Sequence, residues 1–159
     1  MTIELATTAA ANQPPPIHPL IERLCAETGA PLLDAGRFDD WARADGRALV
    51  VFTEDPAQYR ETLDLAVIVP ELALAFPQRF RTGVLLQQAA RAIAPRYGFK
   101  RWPAVVLLAD GQYVGAIDGL RDWQEYIDEL ARLLAAAPSR APSVGIPVNA
   151  AASSTSHCH

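Results

Sequence analysis

The acidic residues that follow the apolar run Ala48–Phe52 are the part of this sequence best suited to binding chemistry. They are Glu54, Asp55, Glu61, Asp64 and Glu71. Carboxylates accept charge-assisted hydrogen bonds from arginine and lysine side chains. Residues 34–71 hold nine acids and four arginines, whereas residues 72–109 hold six basic residues and no acid. This segregation indicates either an acidic face for a basic ligand or chance clustering on a solvated surface.

Cysteine chemistry has less support. Cys25 and Cys158 lie far apart and form neither a CxxC pair nor a paired metal-binding spacing. Cys25 shares the apolar side of a predicted helix, which favours a small core residue, although a one-cysteine redox or glutathione-linked enzyme is an alternative. His157-Cys158-His159 offers three metal ligands in a tail that has no supporting residues around them. We therefore predict no metal site and no cofactor.

The composition is that of one soluble domain of 159 residues and 17.2 kDa. We expect a flexible arm over residues 1–16, a folded domain over residues 17–137 and a disordered tail over residues 138–159, because both ends lack apolar periodicity. The net charge of -4 argues against a nucleic acid partner. No apolar run reaches the ~18 residues that membrane insertion requires, and no secretory signal opens the chain, so a cytoplasmic protein is expected.

Helical and extended segments alternate along the predicted domain. Predicted helices cover residues 17–28, 38–44, 58–76 (with Pro70 inside), 88–97 and 122–134, and predicted strands cover residues 31–33, 48–52, 80–86, 104–108 and 112–117. Asp110-Gly111 between the last two strands is a strong hairpin signal. Asp122 with Glu125 forms a capping-box pattern, and the apolar residues from Trp123 onward are expected to face a core. The pattern predicts an α/β fold with a central mixed β-sheet flanked by helices.

Two blocks of the chain resemble thioredoxin. They are residues 31–52 (PLLDAGRFDDWARADGRALVVF) and residues 94–119 (APRYGFKRWPAVVLLADGQYVGAIDG). The resemblance implies a thioredoxin-like fold in which Pro103 is the cis proline that faces the active site. It also places the redox cysteines shortly after Phe52, yet no cysteine occurs between Cys25 and Cys158. Val51 stands where the family has a buried acid. Disulfide exchange needs an attacking thiolate, so dithiol chemistry at this position is excluded.

The segments DLAVIVPELALAFPQRFR, RWPAVVLL and GLRDWQEYIDEL extend the resemblance to the HyaE/HupG/HoxO accessory proteins of nickel–iron hydrogenase maturation. Membership implies a cytoplasmic chaperone, not an enzyme, that engages the hydrogenase small subunit or its twin-arginine signal peptide before export. Other hydrogenase accessory proteins are further partners that the resemblance suggests.

A receptor for such a signal needs carboxylates beside an apolar groove. The predicted peptide-binding residues are Glu54, Asp55, Glu61, Asp64, Glu71, Trp102 and Pro103. All of them except Pro103 have a structural alternative: Glu54 and Asp55 could begin a helix, the three later acids could be solvated, and Trp102 could be a packing residue. A general peptide-binding scaffold without an export role is the alternative function.

Overall fold

The computed structural model describes residues 16–142, and the predictions for residues 1–15 and 143–159, including His157-Cys158-His159, lie outside this range. In the described range the helices are α1 (Pro19–Thr28), α2 (Ala35–Ala42), α3 (Glu61–Ala75), α4 (Gln87–Ile93) and α5 (Trp123–Leu134). The strands are β1 (Leu32–Leu33), β2 (Arg47–Phe52), β3 (Arg81–Leu85), β4 (Ala104–Ala109) and β5 (Gln112–Asp118). None of the helices in this range combines the length and the apolar character needed to cross a bilayer.

The five strands form one mixed sheet in the order β1-β3-β2-β4-β5. β1 and β2 run parallel to β3, whereas β4 is antiparallel to both β2 and β5. This is the thioredoxin-like α/β arrangement that the sequence predicted. The carboxyl ends of β2 and β3 and the start of β4 consequently meet at one edge of the sheet.

Two apolar layers cover the sheet. One contains residues of α1, α3 and α5, and the other contains residues of α2 and α4 with a group of aromatic side chains. Four side chains of β2, Leu49 to Phe52, are at most 1% exposed, as expected for a strand covered on both faces. Asp110 and Gly111 both have positive φ, which confirms the predicted tight hairpin between β4 and β5.

The predictions for α5 are partly wrong. Tyr126, Leu130, Leu133 and Leu134 are buried as expected, but Trp123 is 45% exposed. Asp122 occupies the N-cap position, but its side chain accepts no capping hydrogen bond, and Glu125 lies 3.8 Å from Arg121. The helical spacing predicted the buried side of α5 correctly, but the first turn of this helix extends beyond the core.

α3 contains Pro70 and continues through it from Glu61 to Ala75. It begins later than predicted, because the backbone N–H groups of Gln58 and Tyr59 both bond to the carbonyl of Asp55 in a separate turn. After α5 the described chain continues to Pro142, past the predicted boundary at residue 137. Its Ser139 donates its backbone N–H to the carbonyl of Tyr113 in β5 (2.8 Å).

Candidate functional site

The connection from β2 to α3 is fixed at the carboxyl edge of the sheet. The backbone N–H and the hydroxyl of Thr53 both donate to the carbonyl of Leu85, the last residue of β3 (3.1 and 2.8 Å). Beside this connection lies a pocket of about 430 Å³, which we call the edge pocket. It is lined by Pro16, Ile17, His18, Pro19 and Ile21, by Thr53 to Ala57, and by Leu86 and Gln87. Its lining is mostly apolar, with a few polar groups, as in small-ligand and peptide sites.

Glu54 is the buried acid of the edge pocket and is 4% exposed. Its Oε2 accepts a hydrogen bond from Nε of Arg91 in α4 (2.8 Å), and its Oε1 accepts from the backbone N–H of Asp55 (3.2 Å). The hydrogen bond to Glu54 raises the pKa of Arg91. The Glu54 carboxylate is thus held in one position and its charge is compensated by the protein itself.

Asp55 lies at the same pocket and is half-buried. Its Oδ1 accepts a hydrogen bond from the backbone N–H of Ala57 (3.0 Å), which stabilises the turn after β2. Neither Asp55 nor Glu54 begins α3, since that helix starts at Glu61. No side chain among residues 16–142 forms an ion pair with Asp55.

Trp102 and Pro103 lie at the start of the neighbouring strand. Ala104 pairs with Phe52, so the loop before β4 meets the same edge of the sheet as Glu54. The Trp102–Pro103 peptide bond is cis, as the resemblance to thioredoxin implied. Trp102 is half-buried and packs edge-on against Phe52 and Phe99, with ring centroids 6.3 and 5.1 Å apart. Neither Trp102 nor Pro103 lines the edge pocket.

Asp118, which sequence reasoning missed, holds the loop that carries Trp102. Its Oδ2 accepts hydrogen bonds from the backbone N–H groups of Lys100 (2.8 Å) and Arg101 (3.1 Å), and its Oδ1 lies 3.3 Å from Arg121. Partial burial raises the pKa of Asp118, but these hydrogen bonds outweigh burial and the net pKa lies below its usual value. Asp118 is therefore a positioning residue for this loop.

The remaining predicted acids lie on α3, away from the edge pocket. Glu61, Asp64 and Glu71 are exposed, and none of the three lines that pocket. Glu71 follows Glu61 by ten residues, a distance of about 15 Å along a helix. It instead lines a second groove, beside the end of α1. The predicted acidic set is thus divided between the edge pocket and the surface of α3.

Sequence reasoning also missed the contribution of α1 to the edge pocket. Ile17 and Ile21 supply apolar surface, and His18 caps the helix by accepting a hydrogen bond at Nδ1 from the backbone N–H of Leu20 (3.1 Å). The apolar periodicity of α1 was visible in the sequence. Its position beside the turn after β2 is a tertiary contact that no local pattern encodes.

The resemblance to thioredoxin implies a redox dithiol shortly after β2, and residues 53–57 of the edge pocket contain two carboxylates there and no cysteine. Cys25 lies on α1, and partial burial raises the pKa of its thiol, assisted by the charge of Glu22. A raised pKa disfavours the nucleophilic thiolate. The strand order, the flanking helices and the cis Trp102–Pro103 bond define a thioredoxin-like protein.

The profile of the family described as "Hydrogenase-1 expression protein HyaE" matches residues 20–126, and the chain belongs to this family. It is 41% identical over 145 residues to the hydrogenase expression/formation protein HoxO of Cupriavidus necator, an alignment that covers 90% of this chain and 89% of the relative. It is 40% identical over 142 residues to HoxO of Azotobacter vinelandii (89% and 94% covered). Similarity also extends to HupG of Rhodobacter capsulatus, with 32% identity over 120 residues (75% and 87% covered).

Proposed function

We propose that this protein acts in hydrogenase maturation as a non-catalytic chaperone in the cytoplasm, binding the hydrogenase small subunit through its twin-arginine signal peptide before export. The relatives named as hydrogenase expression/formation proteins support the role in maturation. The observation that carries the binding role is the edge pocket, in which Glu54 and Asp55 stand beside apolar surface where thioredoxins have cysteines. Other accessory proteins of hydrogenase assembly are expected partners of the resulting complex.

The chemistry of the pocket suits an arginine next to apolar residues. Ion pairs at exposed positions contribute only about 0–1 kcal/mol each. A dissociation constant of 1 μM corresponds to about 8 kcal/mol. Burial of apolar signal side chains against residues such as Ile17, Ile21 and Leu86 therefore supplies most of the affinity. The carboxylates select a basic partner and set its orientation.

The two carboxylates have different parts in this proposal. Asp55 forms no ion pair in the described chain, although its charge contributes to the raised pKa of Arg91, and it accepts the arginine first. Glu54 is already paired with Arg91, so a second arginine must share Glu54 or displace Arg91 from it. The side chain of Arg91 is 54% exposed, which allows it to move into solvent when it is displaced.

The test is a calorimetric titration of the full chain with the signal peptide, with its Lys-Lys variant and with an unrelated apolar peptide. We expect the signal peptide to bind at least tenfold more tightly than the unrelated peptide. Asp55→Asn should weaken its binding about threefold, because Asn keeps the hydrogen bond to Ala57 and removes only the charge. Asp45→Asn is the matched control, since Asp45 is exposed on the turn before β2, outside the lining of the pocket.

Equal affinity for the three peptides would replace this proposal with a general peptide-binding scaffold. The one-cysteine enzyme that the sequence left open is the weaker alternative. Cys25 lies on α1 outside the lining of the edge pocket, and its raised thiol pKa opposes nucleophilic chemistry at neutral pH.

A further inference from the structure

A second groove lies between the ends of α1 and α3 and the start of β3. It has a volume of about 520 Å³, and we call it the α1–α3 groove. The lining residues on which the argument rests are Glu27, Pro70, Glu71, Leu74 and Phe80. A small extension of about 30 Å³ continues between the two helices to Val67 and shares Glu27, Pro70 and Glu71 with the main groove.

The apolar side chains of this groove are unusually open to solvent. Leu74 is 75% exposed and Val67 is 51% exposed, the two largest values among the exposed large hydrophobic residues of the described chain. Leu74 follows Val67 by seven residues on α3, so the two side chains lie on the same side of the helix. A surface helix normally presents polar side chains to water, whereas the exposed side of α3 carries Val67 and Leu74 among its acids.

The groove and its extension carry two carboxylates, Glu27 and Glu71, and one cation, Arg23. Arg23 is paired with Glu27 (2.8 Å), and the charge of Glu71 also helps to raise the pKa of Arg23, although Glu71 itself forms no ion pair with any residue in the range 16–142. Asp64 lies on the same side of α3, seven residues before Glu71, and is likewise exposed and unpaired within the described chain. Open apolar surface beside this net acidic charge is complementary to an apolar segment that carries a basic residue.

We propose that the α1–α3 groove docks an apolar helical segment of the partner polypeptide, with a lysine or arginine beside that segment facing Glu71. This inference rests on the proposed function, because the signal peptide supplies an apolar segment next to its arginines. It assigns the arginine pair and the apolar side chains next to it to the edge pocket, and the apolar segment that follows them to α3. Binding by an apolar helix in a groove is an established mode of peptide recognition.

The experiment measures the affinity of the full chain for the signal peptide after changes confined to this groove. Val67→Ser with Leu74→Ser should weaken binding about tenfold or more, since apolar contacts carry the affinity. The matched control is Leu120→Ser, a large aliphatic residue that is 42% exposed in the turn before α5, and it should change affinity less than twofold. Glu71→Gln should weaken binding twofold to fivefold, and the Asp45→Asn control should not.

A second peptide tests whether the loss of affinity comes from contacts with the apolar segment. It keeps the arginine pair and replaces the apolar segment with serine and glycine. The Val67→Ser/Leu74→Ser variant should bind this peptide as the unmodified protein does, because the contact that the variant removes is already missing. A photo-crosslinker in the apolar segment of the original peptide should label residues of α3 or the start of β3.

Three outcomes would overturn the inference. Signal-peptide affinity could be unchanged in the double variant, or the crosslinker could label only residues 53–57. The double variant could also convert a dimer to a monomer in sedimentation without changing peptide affinity, which would make a second copy of the chain the occupant. Absence of signal-peptide binding to the unmodified protein is a different result and would reject the proposed function as well.

Discussion

Glu54 and Glu71 belong to the same acidic stretch of sequence, but the fold gives them opposite environments. Glu54 is 4% exposed and its carboxylate bonds to Arg91 and to the backbone of Asp55. Glu71 is exposed on α3 and has no ion pair in the described chain. Burial and pairing make the first carboxylate part of the architecture, whereas the second remains exposed to solvent. A count of acids in the sequence therefore overstates how many are available to bind.

The largest expected effect is a difference in folding stability between variants of the two glutamates. Glu54→Ala should lower the free energy of unfolding by about 1–3 kcal/mol, because it removes the partner of a backbone N–H and of Arg91. Glu71→Ala should change it by less than about 0.5 kcal/mol, as is usual for exposed positions. Urea denaturation followed by circular dichroism measures both values. Equal losses in the two variants would contradict the structural assignment of Glu54.

A smaller effect is expected on affinity when the internal partner of Glu54 is removed. Arg91→Gln leaves the Glu54 carboxylate without its cation, so an incoming arginine no longer competes with Arg91. The affinity for the signal peptide should rise about threefold to fivefold. The same substitution should not alter binding of the Lys-Lys peptide as strongly, because lysine cannot form the bidentate contact of arginine. A loss of signal-peptide affinity in Arg91→Gln would show that Arg91 supports the ligand directly.

The smallest expected effect concerns Asp118, which resembles Glu54 in accepting backbone N–H groups and contacting an arginine. Its pKa in the folded protein lies below the ordinary value of about 3.9. The stabilisation from Asp118 is therefore fully present above that value and is lost as the pH falls through the lowered pKa. The melting temperature of Asp118→Asn should be below that of the unmodified protein at pH 7, and the difference should shrink below about pH 4. A difference independent of pH would argue against a role for the charge.

The elements of the fold were predictable because their signals are local. The continuous apolar run of β2 and the Asp110-Gly111 turn encode a covered strand and a hairpin without reference to the rest of the chain. Trp123 was misassigned for the same reason, because helical spacing identifies a face of α5 but not where the core ends. Tertiary geometry alone determines that end.

The candidate site was predictable only in part. Glu54 and Asp55 directly follow a strand, so they were expected at this edge of the sheet. The X-Pro motif located the loop of Trp102 and Pro103. The separation of Glu71 from these residues depends on the length of α3, and the contribution of Ile17 and Ile21 depends on the packing of α1. Both depend on tertiary packing, which the local sequence pattern does not encode.

The close approach of Pro142 to Gly98 affects how fragments of this protein should be made. A Cβ atom at residue 98 would overlap the carbonyl oxygen of Pro142, so glycine is required there and the segment after α5 lies directly against the loop that leads to Trp102. Ser139 anchors the same segment to β5. A shortened version that stops at residue 137 would remove this brace, so recombinant fragments intended for ligand screening should retain the chain through Pro142.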